Sequence, residues 1–350
     1  MFVTDLSCIS PQKTFEDALF NRELIRHVGN QYLALEPSYN GLIPASLLRR
    51  MGKAVRMGVG AGLPLILRNP GLGGIILGTA NGGLEDCLKF LNQIVDYEEG
   101  TLTPTNFVQS TPNAVAGNLA LMSKNTGYNA THVHKGLAFE CALLDAMMLL
   151  NEKRSKSFLL GSVEEISAYN YNIDFLAGYF KLEDSASDTL LDSNTAGTVC
   201  GEGAAMFIVS SENSEKALAQ ILDVEQISFP ENEELNDKLS LFLSKNGLSA
   251  EKIDALILGY SGDNRNDHLY DQFYQKSFSH SSVFSYKNLT GDYPSSSSFA
   301  TWLAVTLLAG NALPAALLRH ESANMGKPQN VLIYNHYQGV QHGFILLSAC

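Results

Sequence analysis

Short apolar runs bounded by glycine, serine or asparagine alternate along this chain with longer helical segments, and that alternation limits the folds open to it. Strands are predicted at Gly74–Leu77, Ser157–Gly161, Ala205–Val209, Ala255–Leu258, Val331–Tyr334 and Phe344–Leu347. Several are apolar throughout, as strands covered on both faces are. Helices are predicted at Leu84–Val95, Asn113–Met122, Leu137–Leu150, Glu233–Lys245 and Phe299–Gly310. Mixed order of this kind gives α/β layers with helices on both sides of the sheet. The stretch 211–228 opens polar and acidic and separates two parts, 1–211 and 229–350. Each part ends in a pair of apolar strands, a weak sign of internal duplication.

With 350 residues, 45% hydrophobic and 17% charged, the chain can bury one large or two medium cores. It has no apolar run of about 18 residues, so no membrane-spanning helix is expected. The opening MFVTDLSCISPQKTFEDALF carries an early acid and no apolar stretch of signal-peptide length, which predicts a cytoplasmic protein. Cys8, Cys87, Cys141, Cys200 and Cys350 are scattered without a CxxC pair, which fits reduced thiols and no zinc cluster. A net charge of −12 opposes general nucleic-acid binding. Against that background Arg49, Arg50, Lys53 and Arg56 form a basic cluster, whose simplest reading is a solvated helix face.

The strongest local signal is Asn194-Thr195-Ala196-Gly197-Thr198-Val199-Cys200-Gly201-Glu202-Gly203-Ala204-Ala205. Glycines around one glutamate, running into an apolar strand, describe a turn with close backbone contact. Read with its neighbours, this segment resembles the Gly-Glu-Gly-Ala segment of β-ketoacyl synthases, the condensing enzymes of fatty-acid and polyketide assembly. Other segments fall in the same order. Ile43-Pro44-Ala45 through Leu48-Arg49-Arg50-Met51 is similar to the arginine-rich helix of that family, and Gly78-Thr79-Ala80-Asn81-Gly82-Gly83 to its early glycine turn. Pro104–Phe107, Pro112–Ala114 and Gly127–Asn129 resemble the run into the nucleophile strand, and Ser157–Glu165 the buried strand beyond it. Lys287 and Gly291 resemble the late Lys-x-x-x-Gly-His motif, and Thr290-Gly291-Asp292-Tyr293-Pro294 resembles the divergent members found in aryl-polyene and flexirubin-type clusters. The resemblance implies the thiolase-like fold, two similar α/β halves in five layers (αβαβα).

Condensation needs a cysteine thiolate at the start of a helix and two histidines that assist decarboxylation and stabilise the enolate. The family pattern Ala-Cys-x-x-Gly, anchored on Gly136, puts Val133 at the cysteine position, with His132 and His134 beside it. Counting back from Asn266-Asp267 puts Gly259 at the first histidine, and Asp292 follows Gly291 at the second. By this resemblance the Cys–His–His set is absent, while Gly201, Glu202, Gly203, Lys287 and Gly291 keep the scaffold. Cys141 lies about two helical turns too far along to serve as nucleophile. A His-x-His pair in an extended stretch carries little weight as a metal site without a third ligand. The remaining histidines, His336 and His342 among them, read as surface or hydrogen-bonded residues.

These observations lead to a non-catalytic ketosynthase-like subunit, comparable to a chain-length factor, that pairs with an active ketosynthase. A homologue of altered chemistry using His132, His134 or Asp292, and a free-standing homodimer that holds acyl chains or carrier protein, are the competing readings. Expected partners are an active ketosynthase or a second copy, and acyl carrier protein, for which Arg49, Arg50, Lys53 and Arg56 are the docking candidates. No cofactor or metal, nucleic acid or membrane is expected.

Overall fold

The computed structural model describes residues 1–15, 23–231, 234–322 and 326–350. In its first part the chain runs β1 (Phe2–Ile9), α1 (Lys53–Arg68), β2 (Gly74–Gly78), α2 (Leu84–Asp96), α3 (Ala114–Ser123), β3 (Tyr128–His132), α4 (Ala138–Asn151), β4 (Ser157–Glu164), α5 (Ala168–Leu176) and β5 (Gly203–Ser210). It continues through β6 (Ala219–Ser228), α6 (Glu234–Lys245), β7 (Ala255–Leu258), α7 (His268–Ser277), β8 (Ser282–Ser285), α8 (Ser297–Leu308), β9 (Asn330–Tyr337) and β10 (Gln341–Ser348).

The strands pair in the order β1-β5-β4-β2-β3 and, in the second part, β6-β10-β9-β7-β8. The senses repeat as well. In each set the first two pairings are antiparallel and the last two parallel. A short antiparallel contact, Phe2 opposite Gln220 and Val3 opposite Ala219, joins the two sets into one sheet of eleven strands, the eleventh being Leu318–His320 beside β8.

Packing makes the layers. Helix α1 and α3 lie on the outer face of the first sheet in one apolar cluster with Ile75, Leu159 and Met206. Helices α4 and α8 fill the space between the sheets, where Phe139, Phe207, Trp302 and Ile345 share a core. The outer face of the second sheet is covered by α6 and α7 through Phe242, Phe273 and Tyr334. The result is the αβαβα order anticipated from the sequence. All residues of α8 are buried, which explains a segment apolar on every side.

Three features differ from the sequence reading. Residues 219–228, placed there in the separating stretch, form β6. A bulge between Ile221 and Asp223 breaks the two-residue alternation that would have marked it, so its buried positions are Ala219, Ile221, Val224 and Ile227. The basic cluster is not one helix: a short helix ends at Leu48, and α1 begins only at Lys53. Glycines and Pro64 inside α1 disguise it, yet a side chain at Gly58 would run into Val115 of α3, so the glycine lets the two helices close. Strands β1, β3 and β8 and helices α5 and α7 were also not anticipated from periodicity alone. The predicted helix 233–245 is α6 from Glu234 onward, Glu233 lying outside the described residues.

Candidate functional site

The scaffold motifs meet at the seam between the two parts. Glu202 is fully buried and tied down: its carboxylate accepts the Ala34 and Ile166 N–H groups, both at 2.7 Å, and pairs with the Lys53 ammonium. Gly201 donates its N–H to the Asp292 carbonyl at 2.9 Å, and Asp292 donates to the Val199 carbonyl at 2.7 Å. A Cβ on Gly201 would fall 2.1 Å from the Thr290 carbonyl oxygen. At Gly291, with φ +69°, a Cβ would lie 2.7 Å from the Cys200 carbonyl oxygen, so both positions require glycine. Gly203 abuts the Ile9 carbonyl. Lys287, 1% exposed, reaches Asp292 at 2.8 Å.

Val133, Gly259 and Asp292, which the resemblance sets at the three catalytic positions, lie in different surroundings. Val133 stands in the turn before α4 and is half exposed. Gly259 follows β7, where a Cβ would lie 2.3 Å from the Asn335 amide oxygen and 2.6 Å from the Tyr270 hydroxyl. No imidazole fits there without displacing both. Asp292 spends its carboxylate on Lys287. His132 and His134 do not converge: His132 Nε2 meets Asp145 at 2.8 Å, whereas His134 Nδ1 meets Cys141 Sγ at 3.3 Å. Cys141 is not the plain buried hydrophobe read from the sequence, since its thiol also donates to Gln226 at 3.2 Å. Burial, with Glu140 nearby, pushes that thiol up to about 11, so it is not a thiolate nucleophile.

Of the basic cluster, Lys53 and Arg56 turn inward. Lys53 neutralises Glu202, and Arg56 grips Glu36 through two bonds of 2.7 and 3.0 Å. Arg49 and Arg50 are exposed and have no ion-pair partner among the described residues. They line an open groove of about 550 Å³ together with Lys89, Glu85, Asp86 and Glu165. The reading of the four as one solvated face therefore holds for two of them.

A second cavity, of about 230 Å³, lies beside Asp292 and is walled by Glu164, Asp174, Cys200, Tyr293, His336 and Tyr337 among others. Burial raises Glu164 to about 7, although its carboxylate accepts N–H groups from Ala80 and Asn81 and the Ser295 hydroxyl. Cys200 is held well above the ordinary thiol range by burial and by Asp174, Glu202 and Asp292, so it too stays protonated. Tyr337 packs on Gly136, whose N–H donates to the Gln341 side chain at 2.9 Å, closing the turn before α4 from the second part.

His336 and His342 are buried rather than at the surface. His342 is satisfied by the Tyr334 hydroxyl at 2.9 Å and the Gly339 carbonyl at 3.1 Å. Burial, then Lys287 and His342, hold His336 well below the ordinary histidine range, against a hydrogen bond to the Asn266 main chain. Sequence reasoning passed over His336, Glu164 and Cys200. The one signal that pointed to His336 was its place two residues beyond a predicted strand, next to Asn335.

The fold is thiolase-like, matching solved ketosynthase structures over the whole chain. The family model "Beta-ketoacyl synthase, N-terminal domain" matches residues 30–174. Among solved structures it is similar to a β-ketoacyl synthase from Burkholderia phymatum STM815, with TM-score 0.81 and 15% identity over 100% of this chain and 99% of that one. It is also similar to the ketosynthase ApeO in complex with its chain length factor ApeC from Xenorhabdus doucetiae, with TM-score 0.75 and 15% identity over 100% of this chain and 98% of that one. The ishigamide ketosynthase/chain length factor aligns with TM-score 0.78 and 15% identity over the same shares. No curated protein matches the chain by sequence. No helix among the described residues is long and apolar enough to cross a membrane.

Proposed function

We propose that this protein is a ketosynthase-like subunit of the chain-length-factor type, without condensing chemistry of its own, that pairs with an active ketosynthase in fatty-acid or polyketide-type chain assembly. The observation that carries the reading is the fate of the three catalytic positions: Val133 offers no nucleophile, Gly259 is closed by Asn335 and Tyr270, and Asp292 is committed to Lys287. The scaffold around them is intact, as expected of a chain kept for its shape. Its likeness to a chain length factor complex supports the same assignment.

Pairing uses the open side of the first sheet. Strand β3 lies at the sheet's edge, and the exposed apolar side chains Leu121, Tyr128, Val133, Leu144 and Met148 flank it. An edge strand with apolar neighbours is a template for a second chain, and twofold pairing is the commonest geometry. Acyl carrier protein docks mainly on the active partner, because a subunit of net charge −12 repels an acidic carrier, with Arg49 and Arg50 as this chain's contribution. The work is done in the cytoplasm, and the wording around Gly291 favours an aryl-polyene-type pathway.

Co-expression with an active ketosynthase that carries the cysteine and both histidines tests the proposal. The expected result is a co-purifying pair whose activity is lost without this chain, while the isolated protein forms no β-ketoacyl product. A stable homodimer that never exchanges with a co-expressed ketosynthase, or condensation by the purified chain alone, overturns it.

A further inference from the structure

Helix α2 is amphipathic, yet none of its residues is buried. Leu84, Leu88, Leu91 and Val95 follow one another at three- and four-residue steps and so share one stripe of the helix. Leu91 and Val95 in that stripe are 48% and 76% exposed. The neighbouring segments extend the face instead of closing it. On α5, Tyr169, Ile173 and Leu176 repeat the spacing, all three are exposed, and only Asn170 of that helix is buried. The two helices touch where Asn92 donates to the Tyr169 hydroxyl at 3.0 Å. The short helix Pro104–Gln109 rests on α2 through Phe90 and Phe107, with rings 5.2 Å apart, and leaves Phe107 and Val108 exposed. An apolar face of this extent marks an interaction site.

Charge indicates what covers it. Asp96 ends α2, Glu98 and Glu99 follow at once, and Asp174 lies between Ile173 and Leu176. Asp174 feels Lys135, but none of these four carboxylates makes an ion pair among the described residues. The one cation within residues 84–109 and 168–176 is Lys89, held by Glu85 at 3.1 Å. Such a border disfavours an occupant of like charge. A second copy, at net charge −12, would bring the same carboxylates together across a twofold axis, and an acidic carrier or an anionic lipid surface is repelled in the same way. A basic partner is attracted. Ridges of side chains at three- and four-residue spacing are what a further helix packs against.

We propose that α2, α5 and the short helix beside them form a second interaction surface, which takes a basic amphipathic helix of another protein. Its apolar side chains cover Leu91, Val95, Ile173 and Leu176, and its lysines or arginines face Asp96, Glu98, Glu99 and Asp174. None of these residues is among those that flank β3.

The probe is a fluorescently labelled leucine–lysine peptide of about 15 residues with its leucines at helical spacing, a length at which a helix forms readily once it is bound. One control has the same composition with leucine at alternate positions, and the other carries glutamate in place of lysine. Titrated with the full chain, the helical lysine peptide is expected to bind saturably and roughly tenfold more tightly than either control. Leu91→Gln with Ile173→Gln changes two exposed positions and should weaken it about tenfold. Glu98→Gln with Glu99→Gln should weaken it about threefold and reduce its sensitivity to salt. Equal binding of the two lysine peptides, or unchanged affinity in the Leu91 and Ile173 double variant, overturns the proposal. So does a double variant that no longer co-purifies with an active ketosynthase, or that abolishes self-association of the wild type, since the face then belongs to that pairing or to a second copy. The comparison of the three peptides on the wild type decides by itself if a variant does not fold. The peptide titration uses this chain alone, so its failure leaves the pairing at β3 untouched, and failure to pair leaves the peptide result standing.

Discussion

The two turns that lead into the central helices differ sharply although the sheets around them repeat one topology. After β3 the chain crosses to α4 through Val133, His134 and Lys135, all exposed. After β8 it crosses to α8 through Tyr286, Lys287, Thr290 and Ser295, each no more than 1% exposed. The edges explain part of the contrast. Leu318–His320 pairs with β8 and covers its outer side, whereas β3 has no further strand beside it. One turn is therefore built into the core, and the other faces whatever joins the open edge. The buried turn is packed into the core, and in the proposed pairing the exposed one is the part a partner would complete.

Breaking the buried turn should have the largest effect. Lys287→Met leaves Asp292 without its countercharge in a largely buried place, and we expect a loss of about 4 kcal/mol in urea unfolding. Adding Asp292→Leu should restore most of it. A double variant no more stable than Lys287→Met would show that the lysine stem, not the charge pair, holds the turn.

The next effect lies on α4, at the interface of the two parts. Glu140 is buried, neither carboxylate oxygen has a hydrogen-bond partner, and burial raises it from 4.5 to about 7. A carboxyl raised on folding binds its proton more tightly in the folded state. Its stabilisation is complete below about 4.5 and disappears as pH rises through about 7. The stability of the wild type relative to Glu140→Gln should fall by roughly 3 kcal/mol across that window. Glu164 and Glu165, also near 7, contribute in the same direction. A flat difference across the window would mean that the carboxyl is hydrated and titrates normally.

The exposed turn is tested through its flanks. Leu144→Asp with Met148→Asp places charges on the outer side of α4, and partner affinity should drop by about a hundredfold with little change in monomer stability. Unchanged association by sedimentation would move the interface away from β3. The smallest effect is electrostatic. Arg49→Glu with Arg50→Glu should slow carrier-dependent turnover of the reconstituted pair by a few fold, and less so at high salt, where screening beyond about 8 Å already weakens steering. Insensitivity to both salt and charge reversal would remove these arginines from docking.

Legibility followed the reach of each signal. Strands such as Ala255–Leu258 and helices such as Ser297–Leu308 were readable because burial on all sides leaves a run without charged residues. Helix α1 was not, because the glycines that read as breakers are there to admit Val115 and Tyr39 from elsewhere in the chain. Strand β6 was hidden by its bulge and by Asp223, whose carboxylate meets Lys245 and Asn246 of a distant segment.

By itself the sequence determined the layered α/β class and the order of the scaffold motifs, and the resemblance set Val133, Gly259 and Asp292 at three expected places, since these depend on residue identity and local spacing. Only the tertiary structure decided what occupies those places. That Lys53 belongs to Glu202, that Asn335 closes Gly259 and that His336 stacks on Tyr270 are contacts between residues scores of positions apart. Local spacing has no term for them: they follow from which strand the fold sets beside which, and burial then fixes the charge each group can carry.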